Sequence, residues 1–130
     1  MSRPLAHDVL TLAAAQAGVA LHDLVSGTTR RLAHARQRAM VVIHRLRPEM
    51  SRSEIGRRMG GRDHTTVLHG LRRAEARAAV DPCEAALIAD LTARALQGVA
   101  AVLDIEIEKA EASLADLRRR RAAWETQVSA

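Results

Sequence analysis

Residues 60–69 read GGRDHTTVLH, crowding two glycines, an arginine, an aspartate, two histidines and two threonines around the apolar pair Val67 and Leu68. Three chemistries suit such a mixture: a loop that cradles a phosphate, a metal site, or the start of a helix that presents polar side chains to a ligand. A P-loop needs a lysine after its second glycine to reach the phosphates, and a strand before it. No lysine follows Gly61, and no strand pattern precedes it. A metal site needs ligands that project together, but His64 and His69 are five residues apart and Cys83 is distant. Serine and cysteine nucleophile motifs are absent as well. The sequence therefore predicts a non-enzyme with no catalytic residue, no metal and no cofactor, and leaves the helix start.

The flanking elements support that reading. Ser51-Arg-Ser-Glu54 has the form of a capping box and predicts a short helix over about 52–59, with Ile55 and Met59 inward. Gly60 and Gly61 permit a tight turn. Asp63 is then the N-cap of a helix over about 64–79 with Val67, Leu68, Leu71 and Ala74 facing a core. Two helices joined by a glycine turn make a helix-turn-helix, whose second helix points its first turn at base edges and phosphates in the major groove. Asp63 can accept from a cytosine amino group, His64 can donate to a base, and Thr65 and Thr66 can offer hydroxyls or press methyls on thymine. Arg62 and His69 are placed for phosphates or bases, with Arg72 further along the same helix.

Upstream, Pro4 suits the first turn of a helix running to about residue 17, with Leu5, Val9, Leu12 and Ala13 on one face. A short helical turn over 21–25 follows. Residues 26–29, Ser-Gly-Thr-Thr, break the pattern before a helix over about 32–46, whose apolar stripe is Ala35, Ala39, Val42, Ile43 and Leu46. Its other face carries Arg36, Gln37, Arg38, His44 and Arg45, and Pro48 stops it. His34 and His44 are expected at the surface without a role, and Cys83 as a small, partly buried residue.

Charge is unevenly distributed. The net charge is +5, yet residues 26–77 hold thirteen arginines against four acids, while residues 81–116 hold eight acids against Arg94 and Lys109. Such clustering marks the middle of the chain as the nucleic-acid face. The absence of Phe and Tyr favours a core of closely packed helices over a sheet. One cysteine, no leader-like segment and no run long enough to span a bilayer lead to the expectation of a cytoplasmic bacterial protein.

The span from Ala35 to Glu75, with ARQRAM at its start and SRSEIGRRMGGRDHTTVLHGLRRAE at its end, resembles the DNA-binding C-terminal domain of the bacterial replication initiators of the DnaA family. The resemblance implies an all-helical helix-turn-helix domain that recognises the nine-base-pair DnaA box in duplex DNA. It further implies that Arg36 and Gln37 contact the DNA backbone and groove, that Asp63, His64, Thr65 and Thr66 read the major groove, and that His69 supports them. Two positions depart from the family pattern. Arg52-Ser53 stands where an aliphatic residue and a proline are usual, which turns an apolar base contact into a phosphate contact. Thr28 stands where an arginine enters the minor groove, so Arg30 or Arg31 is the candidate replacement. The family's ATPase domain has no counterpart in these 130 residues, and the expectation is a free-standing box reader.

The C-terminal third carries a different pattern. Asp81-Pro82 starts a helix bearing Leu87, Ile88, Leu91 and Ala95, which is expected to run on through Gly98. Leu96, Ala100, Leu103, Ile107, Ala110, Leu114, Leu117, Arg121, Trp124 and Val128 then recur at alternating steps of four and three, a heptad seam with Leu103, Ala110, Leu117 and Trp124 at d and Ile107, Leu114, Arg121 and Val128 at a. The whole is read as an all-α protein: a helix-turn-helix domain over 1–96 and a C-terminal coiled-coil helix over 97–130, which forms a homodimer through Leu103, Ile107, Ala110, Leu114, Leu117 and Trp124, the alternative being a helix folded back on its own domain. The expected function is sequence-specific binding of double-stranded DNA in transcription regulation or replication control. The competing reading is an adaptor whose coiled coil recruits a protein partner such as RNA polymerase or the replication machinery.

Overall fold

A computed structural model of the chain describes residues 6–98 and 100–129, except for the side chains at 101 and 102. Among the described residues there are seven helices and no strand: α1 (Ala6–Ala17), α2 (Leu21–Ser26), α3 (Arg30–Leu46), α4 (Arg52–Arg58), α5 (His64–Val80), α6 (Pro82–Gln97) and α7 (Ala100–Ser129). Pro4 and Leu5 lie outside the described residues. None of the helices described is long and apolar enough to cross a membrane.

Several boundaries have a local chemical cause. Gly18, at φ +71°, ends α1. The Thr29 hydroxyl accepts from the Leu32 N–H, so α3 starts two residues earlier than the apolar pattern suggests, and Arg30 and Arg31 occupy its first turn. The Ser51 hydroxyl accepts from the Glu54 N–H at 3.1 Å, as the capping box requires. Asp81 accepts from the Cys83 N–H, with Pro82 at the first position of α6. Contrary to expectation, α6 does not continue through Gly98, which sits at φ +93° and separates it from α7. Leu96 therefore ends a different helix from the seam it was counted with. Cys83 is exposed rather than partly buried.

The core is built where the apolar periodicities meet. Val9, Leu12, Leu24, Val41, Val42, Ile43, Ile55, Met59, Val67 and Leu91 are all fully buried, with alanines 13, 14, 35, 39, 74 and 95 letting the helices approach closely. Helix α3 is the axis: α1, α2, α4, α5 and α6 all pack on it. Its buried residues, from Ala35 and Arg36 through Arg38 to Ile43, go round the helix rather than along one side. Polar groups on the enclosed middle of α3, unlike Arg30 and Arg45, which stay exposed, must find partners inside.

The helix-turn-helix depends on a close approach that the apolar pattern alone did not mark. Gly56 on α4 lies under the turn, and its carbonyl accepts from the N–H groups of Met59 and Arg62. A Cβ built at Gly56 would stand 1.9 Å from the Arg62 carbonyl oxygen. Gly60 and Gly61, both at φ +79°, then reverse the chain into α5. Gly56→Ala is expected to lower stability by about 3 kcal/mol, because backbone rather than a movable side chain must give way. Gly61→Asn meets no neighbour and is expected to cost much less, since Asn tolerates the left-handed region. Urea denaturation of the two variants beside the parent chain checks both.

Candidate nucleic-acid interface

Helix α5 divides cleanly into two sides. Val67, Gly70, Leu71 and Ala74 are buried, while His64, Thr65, Thr66, His69, Arg72 and Arg73 are exposed. The inner side is fixed by packing on α3 and α4. The outer side, spaced i, i+4 and i+7 at Thr65, His69 and Arg72, is presented along the helix like the reading edge of a recognition helix.

The start of that edge is held by Asp63. Its carboxylate accepts from the Thr66 N–H at 2.8 Å. The Thr66 backbone and hydroxyl, joined by the nearby His64, hold the Asp63 carboxyl below the usual carboxylate range, more than offsetting a small desolvation effect. Asp63 is thus an ionised cap at the positive end of α5, and the same charge sits beside the exposed His64 ring and Thr65 hydroxyl, whose Nε2 and Oγ1 stand 3.5 Å apart. Arg52 and Ser53 are exposed on the first turn of α4, and Arg57 and Arg58 on its last. Thr28 is exposed in the loop before α3, and Arg30 on the first turn of α3.

Four expected contacts are placed differently. Arg36 is only 8% exposed. Its Nη1 donates to the Leu24 carbonyl at 2.9 Å and the Gly27 carbonyl at 2.6 Å. Gln37 accepts from Arg77 at 2.7 Å through its side-chain oxygen. Arg62 turns back into the domain, donating to the carbonyls of Val25, at 2.5 Å, and Met59. Arg31 donates to the Ala17 carbonyl at the end of α1. The expected exposed face of α3 is therefore corrected: Arg36, Gln37 and Arg38 point inward, because the helices packed around α3 leave no room for them at the surface. Burial and the neighbouring Arg62 charge lower the Arg36 pKa from the usual guanidinium value.

A second internal network lies further along α3. Arg38 pairs with Glu84 at 2.9 Å, and the Arg77 Nε stands 3.7 Å from the same carboxylate. Glu84 thereby joins α3, α5 and α6. Burial, reinforced by Arg77 and opposed by Glu84, lowers the pKa of the half-buried His34 from the usual histidine value. His44 is half-buried too, so neither histidine is the bare surface residue expected. Sequence reasoning missed these pairings because arginines 36, 38, 62 and 77 look like any others in a basic stretch; the one usable signal was Glu84, in the first turn of α6. Among the described residues no group of His, Cys, Asp and Glu side chains is arranged to hold a metal ion.

The family model described as the bacterial dnaA protein helix-turn-helix matches residues 6–74. The chain is similar to the chromosomal replication initiator protein DnaA of Cereibacter sphaeroides, 52% identical over 52 residues, which are 40% of this chain and 11% of that protein. It is similarly 52% identical over 61 residues to the same protein of a Caulobacter species, covering 46% of this chain and 12% of the relative. With that of Agrobacterium fabrum it shares 46% identity over 69 residues, 52% of this chain and 14% of the relative. The chain thus spans only a small part of the length of the relatives it matches.

Two outcomes test this geometry. A folded-state pKa below the unfolded value means that the Asp63 cap stabilises the protein above the usual carboxylate range and loses that contribution as pH falls through it. Asp63→Ala is expected to lower Tm at neutral pH, with the difference from the parent shrinking under acid conditions, while Asp63→Asn retains most of the neutral-pH stability. Arg36→Ala leaves two buried carbonyls without a donor and is expected to cost about 2 kcal/mol in denaturant titration, with the salt dependence of DNA binding unchanged. A salt slope reduced by about one would instead reveal a phosphate contact.

Proposed function

The chain belongs to the family of bacterial DnaA helix-turn-helix domains, and from that premise we propose that it reads double-stranded DNA sequence-specifically at sites of the DnaA-box type. A domain of this family is a DNA-binding module, and nothing in it is catalytic. The observation that carries the finer reading is the first turn of α5: an ionised cap, Asp63, with His64, Thr65, Thr66 and His69 exposed beside it and the arginines of α4 nearby. Asp63, His64, Thr65 and Thr66 meet base edges in the major groove. Arg30, Arg52, Ser53, His69 and Arg72 meet phosphates, which set affinity and register without reading sequence.

Occupying such sites makes the protein a regulator of transcription or a modulator of replication, acting at boxes that replication initiators also use. A homodimer joined through Leu103, Ile107, Ala110, Leu114, Leu117 and Trp124 gives two linked readers, and avidity compensates for the modest affinity of one domain. The exposure of that seam on α7 supports this reading.

Binding to a labelled duplex containing a DnaA box, beside a scrambled duplex at the same salt concentration, tests the proposal; equal affinity for the two sinks it. His64→Ala and Thr65→Ala are expected to reduce the discrimination by about 1–3 kcal/mol each. Arg52→Ala is expected to weaken both duplexes alike and to lower the salt slope by about one.

A further inference from the structure

Helix α7 has two faces with different fates. Ile105 is only 7% exposed and joins the domain core, and Lys109, one turn later, donates to the Ala15 carbonyl. In the heptad these are f and c positions, on the side opposite the seam. The seam itself is open: Leu103, Ile107, Leu114, Leu117, Trp124 and Val128 are all exposed, Trp124 at 53%. The contacts that hold α7 on its own domain thus leave the a/d stripe uncovered along the whole helix.

We propose that a second copy of this chain covers that stripe in antiparallel orientation, in the register that sets Leu103 against the partner's Val128. This rests on the homodimer reading above and specifies its geometry. Charge decides the direction. Residues 104–111 carry Asp104, Glu106, Glu108 and Glu111 against Lys109, a net charge of −3, whereas residues 116–125 carry Arg118, Arg119, Arg120 and Arg121 against Asp116 and Glu125, a net charge of +2. A parallel pair lays acid on acid, with Glu106 at g beside the partner's Glu111 at e. It also forces Arg121 against the partner's Arg121 within the seam, where like charges are partly desolvated. An antiparallel pair lays the acidic half of one helix along the basic half of the other: Glu111 stands beside the partner's Arg118, and Asp104 beside the partner's Glu125 is the like-charge flank that this register carries.

Side-chain size selects the register. Pairing Leu103 with the partner's Val128 uses every seam position from 103 to 128 and matches Ile107 with the partner's Trp124 and Leu114 with the partner's Leu117. Arg121 then faces the partner's Ala110, the smallest residue of the seam, which leaves space for its aliphatic stem while the guanidinium reaches the acids around the partner's Glu111. The two Ile105 anchors come to stand about 32 Å apart along the coil, at roughly 1.5 Å per residue. The pair's two-fold axis crosses the coil, so the two reading helices are related by the symmetry of an inverted pair of DNA sites.

Disulfide trapping in the full chain tests the orientation. In a Cys83→Ser background, Ile107→Cys and Trp124→Cys chains are prepared separately, mixed and equilibrated in a glutathione buffer, and parent chain is sedimented in parallel. Expected are a species of twice the 14.1 kDa chain mass and a cross-link that joins one Ile107→Cys chain to one Trp124→Cys chain, with neither variant linking to itself. Self-linking of Ile107→Cys means a parallel dimer and overturns the orientation; a monomer without cross-link overturns the dimer and leaves the stripe to another occupant. Arg121→Glu, on the exposed half of α7, is expected to weaken self-association about tenfold or more by setting like charges together. Binding of a single-box duplex by each variant keeps failure of the coil distinct from failure of DNA reading.

Discussion

Two guanidinium groups meeting on the end of one short helix tie down the turn before α5. Helix α2 has six residues and is too short to be stable alone. Its last carbonyls need donors, and a cation is the favoured group at a helix C-terminus. Arg36 reaches Leu24 and Gly27 from the central helix, and Arg62 reaches Val25 from the helix-turn-helix turn. The turn before α5 is thereby tied through α2 to α3. The position of Asp63, one residue after Arg62, depends on that tie as much as on packing of the α5 apolar side.

The same pairing changes how the basic character of the chain is understood. Thirteen arginines crowd residues 26–77, but 36, 38, 62 and 77 are directed inward to carbonyls, Gln37 and Glu84. The charge that this stretch leaves at the surface comes from Arg30, Arg31, Arg45, Arg52, Arg57, Arg58, Arg72 and Arg73, all of them exposed. Buried arginines of this kind contribute to the uniqueness of the fold, and removing their single acid, Glu84, would strand two guanidinium groups inside it.

Helix α7 has two sides in different surroundings. Its f and c side docks on α1 and α6 through Ile105 and Lys109, while the seam faces away. Because the two sides are opposite, covering the seam requires no rearrangement of the domain. The glycine break at 98 permits this by letting α7 leave the line of α6.

Local chemistry was readable directly. Caps at Ser51, Asp63 and Asp81, the glycine turn at 60–61 and the apolar spacing of α1, α3, α5 and α6 depend on residues close in the chain, and they determined the helical fold, the helix-turn-helix and the exposed edge from His64 to His69. The apolar stripe of α7 was legible for the same reason. What depended on residues distant in the chain was not: a polar stripe on α3 looks the same whether water or three neighbouring helices lie over it, so the inward turn of Arg36, Gln37 and Arg38 was decided only by the packing around them. The need for glycine at position 56 was likewise set by a turn folding back over α4, and the end of α6 at Gly98 by a backbone angle that the continuous apolar spacing concealed. Sequence determined the elements and which side of α5 stays exposed, since both follow from local periodicity and capping. Tertiary structure alone decided which charges remain at the surface, because burial is a property of the assembled neighbours and not of the residue.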